Sequence, residues 1–182
     1  MKIAIHQPNF FPWYPFFEKI KNCDIFIILT HCQFEKNGYQ NRFNFNNNWH
    51  TMSVKKGLEP IKDKVYLNPK NDWDRIKNKL PDYKFILNEF DDCIFNSLEK
   101  TNILIIKKLC KLLNIKTKIV MDYPTKLKSS DRLIDLCIKN QATEYFSGVG
   151  AKAYLNDNKF NEKNIKVNYQ KKLNKKHVLE IL

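Results

Sequence analysis

The first seventeen residues constrain this chain most. Ile3, Ala4 and Ile5 form a short apolar run that reads as a buried strand at the very start. His6-Gln7-Pro8 closes it, because proline lacks an N–H and restricts the residue before it. Pro12 and Pro15 stiffen the next segment, and Phe16 to Lys21 reads as the opening of a helix. A strand tip that releases His, Gln and Asn side chains just before a helix is where open α/β sheets bind ligands. The loop from Pro8 to Phe16 holds three prolines and five aromatics, more than a plain connector needs. Its aromatics read first as core. Asn9 and Trp13 are candidates to touch a substrate, and His6 and Gln7 are candidates for chemistry. His6 also admits a purely structural reading, as a hydrogen-bonded polar group at the end of a strand.

The same alternation continues down the chain. Ile25–Leu29, Thr117–Met121, Glu144–Phe146 and Ile165–Tyr169 read as strands. Helical spacing is carried by Trp73, Ile76 and Leu80, then by Ile103, Ile106, Leu109, Cys110 and Leu113 between residues 98 and 113. A further helix opens at Ser129 with Ser130 or Asp131 as its N-cap. Residues 48–55 and 64–67 read as two short strands of an antiparallel flap around Gly57. The expectation is an α/β fold: a mainly parallel open sheet with helices on both faces and a small antiparallel flap. One domain would span residues 1–170, and residues 171–182 would form a basic tail that is partly disordered.

In such a sheet several polar clusters come after strands and would converge on one carboxyl edge. Gln33 lies just past the second strand. Gln40-Asn41-Arg42 lies beside Tyr39 and Phe43; amides offer paired donors and acceptors, and Arg can clamp a phosphate. Ser129, Asp131 and Arg132 either cap a helix or hold an anion at its positive end. Ser147, Gly148 and Gly150 form a short glycine-bearing loop before a helix expected at residues 151–155, which suits close backbone approach to a phosphate.

Composition sets limits on partners. The chain has 182 residues, 43% hydrophobic and 28% charged, enough for a real core. Its net charge of +13 is made almost wholly of scattered lysine, which favours anionic partners without marking an Arg-rich nucleic-acid stripe. The five cysteines are widely spaced and include no C-x-x-C pair, so neither a disulfide framework nor a zinc site is expected. Cys32 beside His31 is a weak nucleophile candidate, since neighbours on a strand point to opposite faces. No apolar run reaches membrane-span length, and the first run is too short for a signal peptide. A cytoplasmic protein with no membrane insertion is expected.

The motifs also carry a resemblance. "AIHQPNFFPW", Gln33-Phe34 with Gly38 to Arg42, Ser129 to Leu133, and Tyr145 to Leu155 stand in an order that resembles the WbqC-like family. The resemblance spans residue 3 to about residue 168. Members of that family occur in gene clusters for bacterial surface polysaccharides such as O-antigen, and transfer of glycine to an amino sugar has been suggested for them. The resemblance therefore implies an acyl or aminoacyl transferase that forms an amide on an amino sugar nucleotide. In that reading His6 is the base, Gln7 and Gln40 support the oxyanion or the substrate, and Arg42 with the Ser147–Gly150 loop holds phosphates. Its partners are a sugar nucleotide and, for an aminoacyl donor, an aminoacyl-tRNA. No cofactor is expected. The alternatives are a nucleotidyl-transferring or adenylating enzyme, which would use ATP, and a non-enzymatic module that binds a sugar nucleotide. Relatives often carry acidic residues where this chain has Thr30 and His31.

Overall fold

A computed structural model of the chain describes residues 1–171 and 176–182. Five short strands form one parallel sheet: β1 (Lys2–His6), β2 (Ile25–Ile28), β5 (Lys118–Met121), β6 (Glu144–Ser147) and β7 (Lys166–Tyr169). The order across the sheet is β5-β2-β1-β6-β7. Each strand is four or five residues long; the three central strands are mostly buried, while the edge strands β5 and β7 are half-buried to exposed. A separate antiparallel pair, β3 (Arg42–Phe45) and β4 (Asn48–Thr51), completes the expected α/β architecture.

Helices cover both faces. On one lie α1 (Tyr14–Lys21), α2 (Pro69–Lys79), α3 (Lys84–Asn88) and α4 (Leu98–Leu112), packed through Phe16, Phe17, Ile20, Trp73, Leu87 and Ile105. On the other lie α5 (Ser129–Lys139) and α6 (Asp157–Asn161), packed through Ile134, Leu136, Cys137 and Phe160. The period-2 alternation of β1 divides its side chains between the layers: Ala4 joins the first core, while Ile3 and Ile5 join the second.

Three expectations need correction. The flap hairpin joins residues 42–45 to 48–51, not 48–55 to 64–67. Its turn is Asn46-Asn47, both at positive φ, a conformation that asparagine tolerates well. Residues 53–55 and 65–67 meet only through the Val54–Tyr66 bridge and two backbone hydrogen bonds. The helix expected at 151–155 is a 3-10 turn, Val149–Ala153. The N-cap of α5 is Lys128, with no side-chain cap; Ser130 Oγ instead accepts from Asn156 N.

The chain's last stretch returns to the core. His177, Val178 and Leu179 are buried, and His177 forms a bridge with Trp13. Most of the basic run expected as a partly disordered tail, residues 172–175, lies outside the described residues. Among the described residues no helix is long and apolar enough to cross a membrane.

Candidate functional site

The carboxyl ends of the five strands gather two clusters of polar side chains. The sheet order reverses direction at β1, since β2 and β5 lie on one side of it and β6 and β7 on the other. Such a reversal opens a crevice outside the strand ends, the usual ligand site of these folds.

The first cluster sits over β1, β2 and β5. Asp122, just past β5, has a side chain with no solvent exposure. Its Oδ1 accepts from Thr30 N at 2.8 Å, from Thr30 Oγ1 at 3.2 Å and from the His31 ring Nδ1 at 2.9 Å. Its Oδ2 pairs with Arg132 Nη2 at 2.5 Å. Burial alone would raise this carboxyl. The hydrogen bonds from His31, Thr30 and Arg132 outweigh burial and hold it below the usual carboxylate range. Asp122 was not legible as a site residue, yet it delivers a carboxylate to Thr30 and His31. Arg132 is buried with only part of its fork filled: Nη2 also donates to the Tyr123 carbonyl, whereas Nε and Nη1 have no partner among the described residues.

Beside it runs an amide chain. Gln40 Nε2 donates to Gln7 Oε1, and Gln7 Nε2 donates to Cys32 Sγ at 3.5 Å. Gln40 Oε1 is buried without a partner among the described residues. The Gly38 backbone makes room for it, since a Cβ there would stand 2.6 Å from Gln40 Oε1. Asn102 of α4 ties both loops together. Its Nδ2 donates to the Pro8 carbonyl at 2.8 Å and to the Gln40 carbonyl at 2.7 Å, while its Oδ1 accepts from Tyr66 at 2.9 Å. A fully buried Asn inside an apolar helical stripe was the available signal, and the stripe hid it. Burial pushes the Cys32 thiol up, so it is not a ready thiolate.

The second cluster lies between β1 and β6. His6 is half-buried, with Phe16 edge-on to its ring at 5.1 Å. Its Nδ1 meets the Gln7 carbonyl at 2.9 Å. A carbonyl can only accept, so Nδ1 carries the hydrogen and Nε2 presents a lone pair. Burial, then the nearby Lys19 cation, pushes the ring down to about 3, although the Gln7 bond acts the other way. The expectation that His6 titrates near neutral pH is therefore corrected: it is an oriented, uncharged acceptor. Ser147 is buried, and Gln170 N donates to the Ser147 carbonyl at 2.8 Å.

The remaining candidates divide. Asn9 is buried in the β1–α1 loop, whereas Trp13 is exposed. Gln33 is exposed and bridges to Pro60. Asn41 donates to the Met52 carbonyl at 2.8 Å. Arg42 bonds the Gly38 and Asn37 carbonyls and lies 4.0 Å over the Trp49 ring. Asn41 and Arg42 are thus engaged within their own flap, and only Gln40 reaches the amide chain. Ser129 is exposed, and Asp131 pairs with Lys159 on the surface. Gly148 is half-buried beside Gln170, and Gly150 is exposed. Two open hollows occur at the opposite, amino edge. One of about 390 Å³ is lined by Lys107, Lys111 and Lys116, and one of about 520 Å³ surrounds Met1, Lys2 and Asp24. Neither adjoins the polar clusters, and fold geometry favours the carboxyl edge.

Comparison with known proteins agrees with the motif order. The uncharacterized protein Rv1507c of Mycobacterium tuberculosis (strain ATCC 25618 / H37Rv) is 28% identical over 187 residues, covering 92% of this chain and 81% of that protein. No solved structure matches. The model of the WbqC-like protein family matches residues 7–177, from the amide of Gln7 to the buried His177, and the chain belongs to that family.

Proposed function

We propose that this protein is an acyl or aminoacyl transferase that forms an amide on an amino sugar nucleotide, in the synthesis of bacterial surface polysaccharide such as O-antigen. The observation that carries the reading is the amide chain Gln40–Gln7 beside a His6 ring whose Nε2 lone pair is free of any described partner. Amide formation needs an uncharged amine held against an acyl carbonyl and donors for the oxyanion that develops. His6 Nε2 accepts a hydrogen bond from the attacking amine and orients its lone pair; as the C–N bond forms, the C–O bond to the donor's hydroxyl-bearing leaving group breaks, and that oxygen departs with the proton the amine gives up. The Gln7 Nε2 donor, held only by a long bond to Cys32 Sγ, turns to the oxyanion. The unfilled guanidinium edge of Arg132 anchors an anionic group of the donor or the nucleotide. The reading places the protein in the cytoplasm, where sugar nucleotides and charged tRNA reside, and needs no cofactor.

The low proton affinity of His6 favours a second reading, a module that binds a sugar nucleotide without turning it over. Mass spectrometry separates the two. Amino sugar nucleotides are incubated with the protein and, in separate reactions, with glycine plus ATP and with glycyl-tRNA. A new amide whose rate falls roughly tenfold in His6→Leu, which removes the Nε2 acceptor, supports transfer. Binding with no amide from any combination supports the module. An amide formed only with free glycine and ATP supports an adenylating enzyme.

A further inference from the structure

Lys19 is a buried cation-forming group with no acid to balance it. It lies on α1, is 4% exposed, and its Nζ reaches only the Ile5 carbonyl, at 3.4 Å. Among the described residues it has no salt bridge, and none of the four undescribed residues is acidic. Every other buried lysine of the described chain is matched: Lys64 by Glu59, Lys77 by Asp74 and Asp91. Buried charges without a partner are expensive, so such a position needs a reason.

Sheet register supplies one. The Lys2 and His6 carbonyls accept from Asp24 and Leu29, on the β2 side. Alternation along the strand turns the Ile5 carbonyl toward β6. The β1–β6 ladder, however, stops at Ile3–Tyr145, while β6 continues pairing with β7 as far as Ser147–Tyr169. Hydrogen-bonded pairing between the two strands ends at Ile3, and Lys19 Nζ takes the Ile5 carbonyl that a β6 amide would otherwise have met. Pro15, one turn earlier on the same helix face, accepts from Gln170 Nε2 at 2.9 Å. The α1 stripe of Pro15 and Lys19 therefore faces the gap between β1 and β6, at the point where the sheet order reverses.

We propose that this gap binds a phosphate group of a nucleotide, with Lys19 as its counter-charge and the Gly148 loop on the opposite wall. This deepens the transfer reading by naming where the sugar nucleotide docks, and it rests on that reading only for the identity of the nucleotide. The groups facing Lys19 are His6 from β1 and Cys23 from the end of its own helix; the neighbouring Glu18 makes no ion pair with it. Burial holds the Lys19 amine down to about 7, partly offset by Cys23. The free protein at pH 8 thus carries Lys19 largely uncharged, and an arriving phosphate draws a proton from buffer onto Nζ.

The probe is UDP, fully ionised at pH 8. Calorimetric titration in two buffers of different ionisation enthalpy counts the protons taken up. The expected result is uptake approaching one proton in wild type, no uptake and at least tenfold weaker binding in Lys19→Met, and binding without uptake in Lys19→Arg. The proposal is overturned by binding without uptake in wild type, by equal uptake in Lys19→Met, or by no binding at millimolar UDP. Uptake without any amide product upholds this site and overturns the transfer reading; an amide product without uptake does the reverse.

Discussion

The two halves of the carboxyl edge handle buried charge in opposite ways. Over β2 and β5, Asp122 is balanced by Arg132 and hydrogen-bonded to His31 and the Thr30 backbone. Between β1 and β6, Lys19 stands beside an uncharged His6 with one long hydrogen bond. Asp122 sits just past a strand end, and Lys19 reaches a strand carbonyl from the helix that covers it. The difference teaches that burial alone does not mark a site. A balanced pair fixes the loops after β2 and β5. An unbalanced amine is unfavourable for the empty protein and has its physical justification in a partner that arrives from outside.

Removing the balance should have the largest effect. Asp122→Ala leaves Arg132 buried and unpaired, and should lower stability by about 3–5 kcal/mol, a Tm loss on the order of 10 °C. Thermal melts of Asp122→Ala and of Asp122→Asn combined with Arg132→Met check this. The double variant should recover most of the loss, and an equal loss in both would mean the pair does not act as a unit.

Lys19→Met should move stability the other way, upward by an amount on the order of a few kcal/mol at pH 7, from about 1.36 kcal/mol per pKa unit. The sign comes from a folded value of about 7 below an unfolded value of 10.5. The penalty is fully present below pH 7 and declines as pH rises from 7 toward 10.5. Urea midpoints at pH 7 and pH 9 should therefore converge for wild type and variant; a constant gap would show that Lys19 does not titrate in the fold.

Two histidines, His6 and, at the far end of the aromatic core, His177, should together shape the acid side, since burial pushes their rings down to about 3 and about 4. His177 stacks on Phe43 at 5.0 Å, with His50 also stacked on that ring. Burial first, then His50, pushes His177 down to about 4, against the bond to the Phe11 carbonyl. Its stabilising contribution is present above pH 6.5 and lost as pH falls toward 4, with a slope of about 1.4 kcal/mol per pH unit. His177→Phe should remove its own share of that limb and leave the share of His6, and an unchanged limb would assign all of it to other groups.

The smallest effect on stability belongs to Gly38→Ala. The added Cβ displaces the flexible end of Gln40, so the fold should lose only roughly 1 kcal/mol while amide formation falls with the broken Gln40–Gln7 contact. Full activity in that variant would remove Gln40 from the site.

The layout of the sheet was legible because each strand is a compact run of β-branched and aromatic residues set off by polar tips, as in Ile25–Ile28 and Lys118–Met121. The flap hairpin was less so. Arg42-Phe43-Asn44-Phe45 alternates as a strand should, and Asn46-Asn47 is a turn pair, but its polar residues gave it the look of a loop. His6, Gln7 and Gln40 were legible as neighbours of one edge. Asp122, Asn102 and Lys19 were not. An acid after a strand, an amide inside an apolar stripe and a lysine on a short helix all look ordinary in sequence. Only strand order and register show what each one faces.

The place where a nucleotide docks decides between a working carboxyl edge and a merely structural one. Backbone amide shifts recorded by NMR during titration with UDP-glucosamine locate it directly. The prediction is that the largest changes fall at His6 and Gln7, at Ser147 to Val149 and at Gln170, on the carboxyl edge around the β1–β6 gap. Changes confined to Lys107–Thr117 or to Lys21–Asp24, at the amino-edge hollows, would contradict it.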